Sequence, residues 1–406
     1  MSCFQALRYR AETPKQLSFS DRRDDFAGAK AEYILNYTSN VIKITHGGRR
    51  YFFKEAKKRP ASLRACVYEG VDTFFEEITE DPALKERVLV SLKQESNLKK
   101  LARMGSKERP GDRLHRYLVS GDETILGLPR HTSSAEEKEL RKLVFYLYGE
   151  LQNWFYNTGV KAGELQTFSA VRALGTYALA RLLGVEELIP RCDFVKICLN
   201  GKTKYGVLSE EAPGDTWISR PPKERASLVT PAILRGLTNL NLLDVLAGEN
   251  DHRVGNYHVV TEASAGESPI LSFDNDSPDV FGFSANVRFS NLTGCSLFID
   301  KKGLINRAHL DEKAAKALLA MKKERLQALQ PYFGRLQLWF LWRRIGKVQK
   351  ALTKTLSVRR DLLLWEGEWS AEHLRKDLSP KYGKTYLASL LTDCYFEKGF
   401  HDYDRL

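Results

Sequence analysis

The chain has 406 residues, of which 43% are hydrophobic and 11% aromatic, a composition that excludes an intrinsically disordered chain. The formal net charge of +12 favours anionic partners such as nucleotides, acidic proteins, anionic lipids or nucleic acid. The sequence has no apolar stretch long enough to predict a membrane span. It has no secretory pattern that would predict export, and no CxxC pair that would predict a zinc site. We therefore expect a cytoplasmic protein with reduced thiols, built as two domains or one bilobed unit.

The first predicted elements are strands, in the stretch 30–56. YILNY and NVIKI are apolar or alternating, HGGR is a hairpin turn in which Gly47 and Gly48 can supply positive φ, and RYFFKEA is the strand that follows. Lys54 lies near the end of this last strand, among apolar residues. A lone Lys in a strand is often a solvated edge charge, so its role depends on what lies elsewhere in the chain.

Helices are predicted next, over much of 58–165. The helical period then continues in 167–185, which ends at Gly184. A strand, an Asn-Gly turn and a second strand follow in 192–212, which predicts a hairpin. The Pro- and Gly-rich stretch 212–227 is the best linker candidate.

The last third of the chain begins with an apolar helix at 230–248, with Thr230 as its cap. The loop ENDHRVGN and two short strands follow it. After about residue 308 the chain is predicted to be helical again. There, 310–329 forms one helix capped by Asp311.

Four side chains have the chemistry that phosphoryl transfer requires. An exposed Asp can accept a hydroxyl proton, an Asn and a second Asp can offer Mg²⁺ the oxygen ligands it prefers, and a Lys can neutralise phosphates. Such a reaction needs little beyond positioning and charge neutralisation. The residues that match these roles in kind are Lys54, Asp251, Asn256 and Asp274, with Asp276 and Asp279 close enough to leave the second metal ligand ambiguous.

The loop DHRVGN, at 251–256, resembles the D-x-x-x-x-N catalytic loop of the atypical protein-kinase-like superfamily. That branch includes phosphatidylinositol 3- and 4-kinases, the HipA toxins, actin-fragmin kinase and the Fam20 secretory kinases. SFDNDSPDVFG is similar to the metal-binding strand end of these families, YALARLLGVEELIP resembles the helix before their fourth strand, and YFFKEA matches their nucleotide Lys strand. The similarity covers about 30–56 and 167–283.

The resemblance implies an α+β, bilobed protein-kinase-like fold. Its small antiparallel-sheet lobe would occupy 1–212 and carry a helical insertion at about 58–165. Its mostly helical large lobe would occupy 213–406 and carry the catalytic hairpin at about 249–283.

The resemblance also implies a role for each candidate residue. Asp251 would orient or deprotonate the acceptor hydroxyl, and Asn256 and Asp274, with Asp276 as a further candidate, would hold Mg²⁺. Lys54 would contact phosphate. The remaining nucleotide contacts would come from Ser39 and the backbone amides of 36–41, and from the hinge at Ser209–Ala212, which contains Glu210 and Glu211.

One position departs from the family pattern. The family helix carries a Glu that pairs with the strand Lys, and the alignment places Ala173 there. Glu164 and Glu69 are the alternative acids. Without such a partner Lys54 would be less firmly oriented, so a nucleotide-binding pseudokinase or scaffold is one alternative to an active enzyme.

We expect an ATP- and Mg²⁺-dependent kinase with a hydroxyl acceptor, a protein Ser or Thr being favoured over a lipid or small molecule. AMP transfer on the same fold is a further alternative. The expected partners are a nucleotide and a protein substrate, without nucleic acid. The basic stretch 342–360 is interpreted as a solvated helix face. Trp339, Phe340 and Trp342 are interpreted as core residues, with membrane-surface contact the disfavoured alternative.

Overall fold

The structure is a computed structural model. It describes residues 17–22, 24–26, 28–35, 40–96, 134–157, 159–212, 214–219, 221, 228–249, 256–260, 270–273, 298–379 and 381. These residues form a mixed α and β protein. The chain divides into two compact units, which we call the first unit (Met1–Ala170 and Asp193–Ser209) and the second unit (Val171–Cys192 and Glu210–Leu406).

A six-stranded sheet organises the described part of the first unit. Its strands are β1 (Ser20–Asp21), β2 (Lys30–Leu35), β3 (Asn40–His46), β4 (Arg49–Glu55), β5 (Cys192–Leu199) and β6 (Lys202–Glu210). Their order across the sheet is β1-β5-β6-β4-β3-β2. Strands β2, β3 and β4 pair antiparallel, whereas β1 pairs parallel with β5.

Two tight turns connect neighbouring strands of this sheet as the sequence predicts. Gly47 and Gly48 have φ of 56° and 75° between β3 and β4, and Asn200 and Gly201 have φ of 50° and 74° between β5 and β6. Two consecutive left-handed residues match the right-handed twist of a hairpin, and Gly and Asn adopt that conformation with the least strain.

Three helices occupy the described part of the predicted insertion: α1 (Leu63–Glu77), α2 (Pro82–Leu92) and α3 (Ser134–Tyr156). Ser62 caps α1 by accepting a hydrogen bond from the Ala65 amide. Helix α1 packs closely on α3 at Gly70, where a Cβ atom would lie 2.8 Å from a methyl carbon of Leu147. The described part of the insertion is therefore mainly helical.

One face of the sheet carries an apolar core. Because side chains alternate along a strand, Tyr51 and Phe53 of β4 point to the same face as Ile42 and Ile44 of β3, with which they pair. The other buried members of this cluster are Phe26, Val195, Ile197, Leu199 and Leu208. The alternate residues of β4, Arg50, Phe52 and Lys54, point to the opposite face.

The second unit contains most of α4 (Phe168–Leu183) and four further helices of the described chain. These are α5 (Pro231–Ala247), α6 (Glu312–Leu319), α7 (Arg335–Leu356) and α8 (Ala371–Asp377). A three-stranded sheet has the order β7-β8-β9, from β7 (Asp215–Thr216), β8 (Tyr257–Val259) and β9 (Ile270–Ser272). Strands β10 (Leu310–Asp311) and β11 (Leu363–Leu364) form a parallel pair.

Helix α5 lies at the centre of the second unit. Thr230 caps it and Pro231 is its first residue, as the sequence predicts. Gly248 ends the helix with φ of 85°. Nearly every residue from Ile233 onward is buried. At Gly236 a Cβ atom would lie 2.4 Å from Ile270 of β9, so this Gly lets the helix contact the strand directly.

Three local predictions are wrong. The stretch 310–329 is not one helix, because α6 ends at Leu319 and the chain is extended at Lys322 before a 3₁₀ segment begins. The predicted linker contains β7 and the fully buried Trp217. Trp339 is 43% exposed rather than packed in the core. Within the described ranges, no helix combines the length and apolar composition that crossing a membrane requires.

Candidate functional site

Four candidate residues, Ser39, Asp251, Asp274 and Asp276, lie outside the described residues. The structure does describe Lys54, Glu210, Glu211 and Asn256. Lys54 belongs to the first unit and the other three to the second. The surroundings of the described residues are therefore given unit by unit.

Lys54 lies on the face of the six-stranded sheet opposite the apolar core. It pairs directly with Val41 of β3, so the two side chains share a face. Val207 of β6 lies on this face too, because its neighbour Leu208 belongs to the core on the other side. Val41 and Val207 are buried and Lys54 is half-buried. The face thus combines buried apolar side chains with the Lys54 cation.

A glycine brings strand β6 close to the backbone of β4 at Lys54. A Cβ atom at Gly206 would lie 2.2 Å from the Lys54 carbonyl oxygen and within 3 Å of the Phe53 ring. The Ala56 amide donates to the Tyr205 carbonyl at 2.7 Å just beyond this point. Any larger residue at 206 would push the two strands apart, so the position of Lys54 depends on this glycine.

An acidic partner reaches the end of β4 from helix α3. The Glu150 carboxylate accepts hydrogen bonds from the Lys57 ammonium at 2.9 Å and from the Asn40 amide at 2.7 Å. The Tyr146 hydroxyl lies 2.5 Å from the same ammonium. Burial would by itself lower the pKa of Lys57, but the attraction of Glu150 and Tyr146 outweighs it and raises this pKa well above its usual value.

The two acids considered from sequence, Glu69 and Glu164, are both exposed. Glu69 lies on α1, and Glu164 accepts a hydrogen bond from the Lys161 amide in its own turn. A Lys–Glu ion pair forms three residues beyond Lys54, between Lys57 and Glu150. The available signal was a single acid, Glu150, on the apolar side of a helix that also carries Tyr146.

In the second unit, the hairpin of β8 and β9 positions Asn256. Tyr257 pairs with Ser272, and the Phe273 amide donates to the Asn256 carbonyl oxygen at 3.1 Å. Tyr257 and Ser272 are both fully buried, which fixes the register of the hairpin. Phe273 directly precedes Asp274 in the sequence, so Asn256 lies beside the point where the chain continues into Asp274.

His258 connects this hairpin to the segment after β6. Its Nδ1 donates to the Ala212 carbonyl at 3.2 Å, and its ring meets the Phe273 ring edge-on at 4.8 Å between centroids. Ala212, Val260 and Leu271 form a small buried apolar cluster beside it. The predicted hinge residues Glu210 and Glu211 immediately precede Ala212, so the structure brings the end of the hinge next to the hairpin.

The end of α5 is held by Arg344, an arginine of the stretch 342–360 that was predicted to be a solvated helix face. The Arg344 guanidinium donates to the carbonyls of Leu246 at 2.8 Å and Ala247 at 3.1 Å. These are orphan carbonyls at the end of a helix. Arg344 is 1% exposed, and burial lowers its pKa to about 10. This contact fixes the helix end that precedes the DHRVGN loop.

No protein-family model matches the sequence, and no curated protein is significantly similar to it. Among the described residues, no three His, Cys, Asp or Glu side chains form a group that could hold a metal ion. The expected carboxylate ligands Asp274 and Asp276 are not among those residues.

Proposed function

We propose that the protein is a cytoplasmic, ATP- and Mg²⁺-dependent kinase with a bilobed protein-kinase-like fold, which transfers a phosphoryl group to the hydroxyl of a protein Ser or Thr. Asp251 would orient and deprotonate that hydroxyl, Asn256 and Asp274 would hold Mg²⁺, and Lys54 would neutralise phosphate. The transfer moves the γ-phosphoryl group to the acceptor oxygen, releases ADP, and leaves the hydroxyl proton with the base.

The hydrogen bond from the Phe273 amide to the Asn256 carbonyl carries this proposal. It belongs to a buried hairpin whose two ends lead into the acidic segments 249–256 and 273–279. Mg²⁺ is bound by one or two protein oxygens together with phosphate oxygens and water. An amide and a carboxylate at neighbouring ends of one hairpin supply such a pair, and Asp276 offers a further oxygen.

The face of the sheet that carries Lys54 has the composition expected of a nucleotide site. Small-molecule sites are mostly apolar, with a few polar groups that fix orientation. Val41 and Val207 provide buried apolar surface, and Lys54 provides the positive charge. The chain passes from the first unit to the second between Ser209 and Glu210, at the hinge where adenine would meet the backbone.

The Lys57–Glu150 pair bears on the question of an active enzyme. The family resemblance left Lys54 without its expected acid because Ala173 occupies that position. Glu150 reaches the end of the same strand from α3. We propose that Glu150 supports the Lys54 strand by fixing Lys57, so the Ala at 173 does not require a pseudokinase.

The test is phosphate transfer by the full chain with γ-labelled ATP, Mg²⁺ and a lysate fraction, followed by identification of the labelled residue. Asp251→Ala and Asp274→Ala should each lower the rate at least about 100-fold, since removing a positioned base or a metal ligand removes most of the catalysis. Lys54→Met removes the cation assigned to phosphate and should also lower the rate. Lys58→Met, at an exposed position close to Lys54, serves as its control.

Each outcome of this test decides between the alternatives. Label from α-labelled ATP would establish AMP transfer instead of phosphoryl transfer. Label in extracted lipid or in a small molecule would replace the protein acceptor. Tight ATP binding without any labelled acceptor would establish a pseudokinase, and full activity in either Asp variant would show that the assigned roles are wrong.

A further inference from the structure

The exposed face of helix α7 has an unusual composition. The 22 residues of this helix include no Asp or Glu. Its exposed side chains recur at helical spacing and define what we call the α7 basic face: Arg335, Leu336, Trp339, Arg343, Lys347, Lys350 and Lys354. The face therefore presents five cations and two large apolar side chains over about 30 Å of helix.

The opposite side of the helix is held in place. Leu341, Ile345 and Val348 are buried, and Arg344 donates to the carbonyls at the end of α5. Because the buried side is fixed by packing and hydrogen bonds, the helix cannot turn its cations inward. The basic face is a permanent feature of the second unit.

Two other helices of the same unit carry ion pairs between their own side chains, whereas α7 has no acid of its own with which to form one. Lys316 is 2.7 Å from Glu312 on α6, and Lys376 is 3.3 Å from Glu372 on α8. Such pairs at i and i+4 are the usual pattern of a solvated helix. A helix without acids cannot form them, so its cations add up to a positive potential that attracts a polyanion.

The positive surface continues beyond the helix. The Lys354 ammonium donates to the Lys302 carbonyl at 2.7 Å, and the side chains of Lys301 and Lys302 are exposed. The Asp300 carboxylate in this turn accepts hydrogen bonds from backbone amides, including that of Lys302. These contacts place two more cations at the C-terminal end of the α7 basic face.

The other end of the face is apolar. Leu336 is 51% exposed and Trp339 is 43% exposed, and the Arg343 guanidinium lies over the Trp339 ring at 5.2 Å. Trp residues favour the headgroup level of a membrane, and an amphipathic helix lies in that plane with apolar and basic side chains together. A phosphate backbone would attract the cations but would offer no place to bury Leu336.

We propose that the α7 basic face binds the surface of an anionic membrane, with the cations against lipid headgroups and Leu336 and Trp339 inserted at the boundary of the acyl region. This contact would recruit the protein to a bilayer without spanning it. The proposal is independent of the kinase activity, because it uses none of the residues assigned to that site.

The test is co-sedimentation of the full chain with vesicles of phosphatidylcholine alone and with vesicles that also contain about 30% phosphatidylserine, which gives them an anionic surface. The protein should bind only the anionic vesicles, and rising salt should release it. Arg343→Glu combined with Lys350→Glu should weaken binding at least about 25-fold, or about fivefold per cation lost. Leu336→Ser combined with Trp339→Ser should weaken it about tenfold or more.

Matched changes on other surfaces provide the controls. Lys58→Glu combined with Lys93→Glu alters two exposed cations of the first unit, and Val90→Ser alters a side chain that is 55% exposed on α2. These variants should bind anionic vesicles as the wild type does. Circular dichroism and thermal unfolding of every variant distinguish lost binding from lost folding.

Three results would overturn the proposal. One is no binding to either kind of vesicle, and another is binding that survives both pairs of changes on α7. The third is tight binding to a 20-nucleotide RNA that Arg343→Glu with Lys350→Glu removes, without any vesicle binding; this would assign the face to nucleic acid.

Discussion

Lys57 in the first unit and Arg344 in the second unit are compensated in different ways. In the first unit, Lys57 meets the carboxylate of Glu150 and Lys204 meets those of Glu55 and Glu77. In the second unit, the buried Arg344 guanidinium donates instead to the backbone carbonyls of Leu246 and Ala247 at the end of α5.

These two arrangements have different electrostatic consequences. A carboxylate neutralises its partner, so burial fails to lower the pKa of Lys57, which is raised instead. A carbonyl offers a dipole without a net charge, so burial lowers the pKa of Arg344 to about 10. The first arrangement joins a strand end to a helix. The second satisfies carbonyls at the end of α5, the helix that precedes the proposed catalytic loop.

The largest effect should come from breaking a carboxylate pair on one side only. Glu150→Leu leaves the Lys57 ammonium without its carboxylate partner and removes one of two acceptors of the Asn40 amide. An unpaired buried charge costs about 3–5 kcal/mol. Denaturant unfolding of the variant should show this loss. The exposed pair of Lys202 with Glu76 is the matched comparison, because Glu76→Leu should change stability by less than about 0.5 kcal/mol.

The double variant Lys57→Met with Glu150→Leu separates charge from packing. Replacing both ions by apolar side chains removes the unpaired charge, so most of the lost stability should return. A double variant as unstable as Glu150→Leu alone would show that the pair is needed for shape or hydrogen bonding rather than for neutralisation.

The carbonyl contacts of the second unit should give a somewhat smaller effect. Arg344→Met keeps much of the apolar volume but leaves the Leu246 and Ala247 carbonyls without their donor, which should cost about 2–4 kcal/mol. Arg343→Met, at the next position on the exposed face, should stay within about 0.5 kcal/mol of the wild type. Equal losses in the two variants would show that helix propensity, and not the contact, explains the change.

The sequence is informative where a feature depends on neighbouring residues. The Gly47-Gly48 and Asn200-Gly201 turns and the cap of α5 are local, and the structure confirms them. The hairpin that joins Asn256 to Phe273 also follows from short apolar runs at a suitable spacing. The backbone position of one candidate residue could thus be predicted before the structure was known.

Features that depend on tertiary packing could not be predicted in this way. Glu150 is 93 residues from Lys57, and Arg344 is 98 residues from Leu246, so no local pattern pairs them. The burial of Trp217 within a Pro- and Gly-rich stretch and the break after Leu319 are of the same kind. In each case contacts with distant parts of the chain override the local preference.

The smallest effect concerns a buried imidazole of the second unit and appears only when pH is lowered. His309 is 4% exposed, its Nδ1 donates to the Asp361 carbonyl at 3.1 Å, and its Nε2 has no hydrogen-bond partner. Burial lowers the pKa of His309 to about 4, with contributions from the positive charges of Lys376 and Arg359 and from His373.

Because the pKa of His309 in the folded state lies below its value of about 6.5 in an unfolded chain, the unfolded state binds the proton first. This residue should therefore remove about 2 kcal/mol of stability between pH 7 and pH 5, and the loss should continue until the pH reaches about 4. His309→Phe keeps a ring of similar size without a titrating group. The stability of this variant should therefore fall about 2 kcal/mol less than that of the wild type between pH 7 and pH 5. If stability falls equally with pH in the two proteins, His309 is not the group whose protonation destabilises the fold. The Asp361 carbonyl would then hold the imidazole equally well in either protonation state.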